Sequence, residues 1–140
     1  MEDAKFKVLL VDDEEISARM IKMVLQDVGR FEIEALTNPL EAMDRIKTFK
    51  PDIIILDLIM PEMSGAELGL KIKEDPIFKI CPILFLTAAV SKENAQSWKS
   101  GVDGVTYKMQ GDVLLNTPVL TKPVTPKELV AKIDEILAVK

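Results

Sequence analysis

The chain has no histidine and a single cysteine, Cys81, in 140 residues. Zinc centres are built largely from imidazole and thiolate ligands, so this composition argues against one. One cysteine also excludes an intramolecular disulfide. No apolar stretch approaches the roughly 20 residues of a membrane span. Basic residues are in the minority, 18 Lys and Arg against 23 Asp and Glu, for a net charge of −5. The basic footprint that non-specific nucleic-acid binding needs is therefore missing. The opening residues Met1-Glu2-Asp3-Ala4-Lys5 are acidic and run straight into an apolar segment, unlike a secretory signal. These absences leave a soluble, cytoplasmic domain whose metal, if it has one, takes oxygen ligands.

What is present is an alternation of two periodicities. Apolar runs at 6–11, 32–36, 52–57, 82–86 and 119–121 are separated by segments with helical spacing. Five such βα units within 140 residues predict one α/β domain over 1–140, a doubly wound five-stranded parallel sheet with helices on both faces. Asn38-Pro39-Leu40-Glu41, Ser64-Gly65-Ala66-Glu67 and Thr125-Pro126-Lys127-Glu128 each place a capping residue three positions before Glu, the signature of a helix start. In the last helix Leu129, Val130, Ile133, Ile136 and Leu137 form one apolar stripe. In the first, Ile16, Met20, Met23 and Val24 form another, and the methionines are expected to fill the core. Cys81 reads as a strand-entry residue and Trp98 as a packed helical residue.

One region breaks the rhythm. Residues 102–121 separate Gly101, a helix stop, from Lys122, where a simple connection needs only about 2–6 residues. Val105-Thr106-Tyr107-Lys108-Met109 and Val113-Leu114-Leu115 flank Gln110-Gly111-Asp112, which predicts a β-hairpin insertion, approximately 102–118, before the fifth strand.

Polar residues stand at the ends of the apolar runs. Asp57 follows Ile53-Ile54-Ile55-Leu56, Asp12 and Asp13 follow Val8-Leu9-Leu10-Val11, Thr87 follows Ile83-Leu84-Phe85-Leu86, and Lys122 follows Val119-Leu120-Thr121. Open α/β sheets bind ligands just beyond the carboxyl ends of their strands. Three carboxylates, a hydroxyl and an ammonium are thus expected in one pocket. Such a cluster suits Mg²⁺, which takes one or two carboxylates, water and phosphate oxygens. A carboxylate beside that ion can attack phosphorus to give an acyl phosphate. Thr87 and Lys122 would complement the phosphoryl oxygens.

Val11-Asp12-Asp13-Glu14, Leu56-Asp57-Leu58-Ile59-Met60-Pro61-Glu62-Met63-Ser64-Gly65, Leu86-Thr87-Ala88 and Lys122-Pro123, in that order, resemble the motifs of a response-regulator receiver domain of two-component signalling, of the single-domain type. The resemblance implies a flavodoxin-like receiver fold and a phosphorylation-controlled switch in a phosphorelay. By the same resemblance Asp57 is the phosphoacceptor, and Asp13 and Asp57 ligate Mg²⁺ with the Ile59 carbonyl while Asp12 acts mainly through water. Thr87 moves toward the phosphoryl group, Lys122 pairs with it, and Gly65 starts the third helix. A sensor histidine kinase or a phosphotransfer protein is the implied donor, and acetyl phosphate a small substitute. The chain then catalyses only its own phosphorylation and dephosphorylation. It would act on a downstream protein through the face carrying the helix before Gly101, the insertion and the last helix, either alone or as a homodimer.

Three features qualify that expectation. Val119 stands where receivers carry an aromatic three residues before the lysine, which removes the usual aromatic partner of Thr87. Lys108 offers an alternative alignment for the lysine, but Pro123 and the capped Thr125–Glu128 segment favour Lys122. Ile59 and Ala89 cannot orient water, so slow loss of the phosphoryl group is expected. A receiver-like interaction module working without phosphorylation is the alternative function. A dehalogenase-type phosphatase would need an acid in place of Ile59, and a flavodoxin a hydroxyl-rich loop in place of Asp12-Asp13-Glu14-Glu15.

Overall fold

In the computed structural model, which describes residues 5–58, 60, 63–87, 118–121 and 124–138 (Ala66 and Thr87 by backbone only), five strands form one parallel sheet. They are β1 (Phe6–Val11), β2 (Phe31–Leu36), β3 (Ile53–Asp57), β4 (Ile83–Thr87) and β5 (Val119–Thr121), in the order β2-β1-β3-β4-β5. Four α-helices are described, α1 (Glu15–Val28), α2 (Ala42–Phe49), α3 (Gly65–Glu74) and α4 (Pro126–Ala138). The chain moves outward from β1 to β2, then crosses back to β3, so the winding direction reverses between β1 and β3. This is the expected doubly wound, flavodoxin-like order, and its crevice opens at that reversal.

The sheet separates two apolar layers because successive side chains on a strand face opposite ways. Val8, Leu10, Ile53, Ile55, Leu84 and Leu86 pack under α1 and α4, against Ala18, Ile21, Leu25, Leu129 and Ile133. Leu9, Val11, Ile54, Leu56, Ile83 and Phe85 pack under α2 and α3, against Ile46, Phe49, Leu68 and Ile72. Val8–Val11 and Ile53–Leu56 are fully buried, which is why these strands are continuous apolar runs rather than alternating ones. The expected α4 stripe is in place, with Leu129 and Ile133 buried and Val130, Ile136 and Leu137 partly so.

The stripe expected to be buried on α1 is not. Ile16, Met20 and Met23 are 76%, 61% and 58% exposed, and only Val24 is half-buried. The helix buries Ala18, Ile21 and Leu25 instead. At 3.6 residues per turn the two sets lie on opposite sides of the helix, so α1 carries two apolar stripes. The small Ala18 lets the first turn approach the sheet, and the tight turn at Gly29 (φ 90°), whose N–H donates to the Gln26 carbonyl, fixes how the helix hands the chain to β2.

A second difference is at Asn38. Its side chain accepts from the Leu40 N–H (3.0 Å), two residues on, and caps a short 3₁₀ turn over Pro39–Glu41. The α-helix proper begins only at Ala42. Asn prefers this local turn to the longer reach of a capping box. The other two expected boxes form: Ser64 with Glu67, and Thr125 with Glu128.

Of the expected insertion at 102–118 only Pro118 is described, its carbonyl accepting from the Phe85 N–H; residues 102–117 and Trp98 lie outside the described residues. No described helix is long and apolar enough to cross a membrane.

Candidate functional site

The site begins where β1 ends. The Asp12 N–H donates to the Leu36 carbonyl (3.0 Å) and prolongs the β1–β2 ladder by one residue. Its carboxylate then turns the chain, Oδ1 accepting from the Glu14 N–H (3.0 Å) and Oδ2 from the Ser17 hydroxyl (2.9 Å). Asp12 has no solvent exposure. Glu14, the N-cap of α1, makes no side-chain cap of its own, and its N–H is satisfied by Asp12. Helix capping and membership of an acidic cluster are thus combined in one residue. The sequence does not mark Ser17; its only signal is a hydroxyl in the first turn of the helix after a strand-ending Asp, a common pattern.

Asp57 closes β3 opposite Leu86 of β4 and is 6% exposed. The backbone beyond it is held on both sides. The Leu58 N–H donates to the Leu86 carbonyl (2.8 Å), and the Leu58 carbonyl accepts from the Gly65 N–H (2.9 Å). Position 65 has no room for a Cβ, which would overlap the Asp57 carbonyl. The glycine and the capping box of Ser64 therefore dock the start of α3 directly on the strand end.

These elements bring Asp12, Asp13 and Asp57 together, with one carboxylate oxygen from each lying within 4.8 Å of the others. Asp13 is half-buried between its two buried neighbours. Three carboxylates this close, removed from bulk water, repel one another and call for a cation. An all-oxygen set fits Mg²⁺. Of the other expected site residues, Thr87 is the last of β4, one position past the register partner of Asp57, and pairs with Thr121 of β5. Lys122, next after Thr121, and Ile59 lie outside the described residues, as do Ala89 and Lys108. Val119 is half-buried in β5, packed against the α2–α3 layer.

The family model for the response regulator receiver domain matches residues 8–134. The chain is 35% identical over 130 residues to the phosphate regulon transcriptional regulatory protein PhoB of Pseudomonas aeruginosa, covering 93% of this chain and 51% of that protein. It is 31% identical over 132 residues to the response regulator Rre1 of Synechocystis sp., covering 94% and 51%. The chain thus spans about half the length of these curated relatives. Among solved structures, the chemotaxis protein CheY4 of Vibrio cholerae superposes with a TM-score of 0.73 at 30% identity, covering 95% of this chain and 99% of that one.

Proposed function

The chain belongs to the response regulator receiver family of two-component signalling, and on that premise we propose that it is a phosphorylation-controlled switch with Asp57 as phosphoryl acceptor. The convergence of Asp12, Asp13 and Asp57 at the sheet's switch point carries the reading. The donor is a phosphohistidine on a sensor histidine kinase or phosphotransfer protein. A carboxylate oxygen of Asp57 attacks phosphorus, the P–N bond breaks as the P–O bond forms, and the imidazole nitrogen leaves with the electron pair. Mg²⁺, when bound, neutralises charge on the phosphoryl oxygens. Asp13, Asp57 and the Ile59 carbonyl are its ligands in this reading. Asp12, whose oxygens already accept from Glu14 and Ser17, acts through water. Thr87 and Lys122 complement the remaining phosphoryl oxygens.

The exposed Ile16, Met20 and Met23 begin in the first turn of α1, beside the acidic cluster. That apolar stripe is a docking face for the protein that carries the phosphohistidine, since exposed apolar patches commonly mark interaction sites. Phosphorylation then biases a two-state equilibrium read by a downstream protein. The proposed setting is the cytoplasm, with neither nucleic acid nor membrane among the direct partners. Ile59 makes the phosphoryl group long-lived; Ile59→Asn, which can orient water, is expected to shorten its lifetime.

Intact mass after incubation with Mg²⁺ and acetyl phosphate tests the assignment. Gain of one phosphoryl group by the native chain and none by Asp57→Asn is expected. No gain with acetyl phosphate, beryllofluoride or a kinase panel would favour the phosphorylation-independent module.

A further inference from the structure

At the opposite end of the sheet from Asp57, the end of α2 and the turn between α3 and β4 enclose a cleft of about 470 Å³, within the usual size of small-molecule sites. Ile46, Pro51, Phe78 and Cys81 form part of its walls, with Ile77 and Ile80 beside them 76% and 84% exposed. The turn is held from beneath. The half-buried Lys73 ammonium donates to the carbonyls of Lys79 (3.3 Å) and Cys81 (3.1 Å), and burial lowers its pKa against a smaller opposing effect of Cys81.

The charges around this cleft are not equivalent. Asp52 accepts from the Lys7 N–H (2.8 Å), and Asp75 accepts from the N–H groups of Ile77 (2.8 Å) and Phe78 (3.4 Å). Both carboxylates are thereby held in place by backbone N–H groups while keeping their charge. Lys47 and Lys50, three residues apart at the end of α2, make no side-chain hydrogen bond or ion pair with a described residue. Lys50 holds the left-handed conformation (φ 56°) that glycine adopts most readily. An apolar cleft whose lining includes two lysines without a described side-chain partner complements a molecule that is apolar along its length and negative at one end.

We propose that this cleft binds an amphipathic carboxylate, an acyl chain seated between Ile46 and Phe78 with its head at Lys47 and Lys50. The site is separate from the Asp57 pocket and does not depend on the phosphoryl-acceptor reading.

Titration of the full chain with hexanoate, octanoate and decanoate, followed by the methyl resonances of Ile46, Ile77 and Ile80, tests the proposal. Saturable shifts confined to these residues are expected, with affinity rising about fourfold for each methylene buried. Decanol and decyltrimethylammonium should bind at least tenfold more weakly. The pair Lys47→Gln and Lys50→Gly should cost at least tenfold in decanoate affinity without lowering the melting temperature, because glycine relieves the backbone at position 50. Failure of decanoate to shift these methyls, equal binding of decanol, or unchanged affinity in the double variant would overturn the assignment. So would shifts produced by phosphatidylglycerol vesicles but not by decanoate, which would make the patch a membrane contact.

Discussion

Gly65 lies directly against the backbone of Asp57, so close that a methyl group at position 65 would overlap the Asp57 carbonyl oxygen. The start of α3 is therefore packed directly on the backbone of the proposed acceptor. Gly65→Ala must push α3 away from the strand end, an overpacking that costs about 1–3 kcal/mol. Urea unfolding should register that loss, and the rate of acetyl-phosphate labelling should fall with it. Labelling at the native rate would show that the two elements are not coupled.

Ser17 donates to the buried Asp12. Ser17→Ala removes one donor from a fully buried carboxylate, and a loss of about 1–2 kcal/mol is expected by thermal unfolding. Ser17→Thr keeps the hydroxyl and should recover most of it. A weaker apparent Mg²⁺ affinity in the alanine variant alone would show that the serine positions Asp12 for the ion.

The two faces of α1 should separate stability from recognition. Leu25→Ala opens a cavity in the core and should cost about 2–5 kcal/mol. Met20→Glu, on the exposed stripe, should stay within about 0.5 kcal/mol of the native chain. In phosphotransfer assays Met20→Glu should slow labelling from a phosphohistidine protein and leave labelling by acetyl phosphate unchanged. Equal slowing with both donors would remove the stripe as a docking face.

Arg30, in the turn before β2, forms a two-pronged ion pair with Asp134 of α4 at 2.7 and 2.8 Å. The hydrogen bond from Arg30 holds the Asp134 carboxyl below its ordinary value of 3.8 and, reciprocally, raises the guanidinium. A carboxyl whose folded pKa is depressed adds stability above its unfolded pKa and loses it as pH falls through the folded one. Both groups are nearly half exposed, so the pair contributes at most about 1 kcal/mol. Asp134→Asn should therefore lower the unfolding midpoint slightly at neutral pH. The difference should vanish in acid below the folded pKa of Asp134, and a difference persisting there would assign the effect to packing.

The strand-end constellation was legible because a buried parallel strand announces itself as a run such as Ile53–Leu56, and a carboxylate placed at its end stands out. Knowing that five such runs alternate with helices fixes the ends that converge, so Asp12, Asp13 and Asp57 could be grouped without coordinates. Chain order, caps and the α4 stripe follow from the same local patterns. The sequence could not decide which side of α1 faces inward. Ile16, Met20 and Met23 repeat with the same helical spacing as Ala18, Ile21 and Leu25, and periodicity carries no direction. That choice belongs to the tertiary structure, where the turn set by Asp12 and the hand-over at Gly29 fix the helix against the sheet. The Asp57–Gly65 contact and the cleft below Phe78 are likewise tertiary, since each depends on how separate elements are brought together in space.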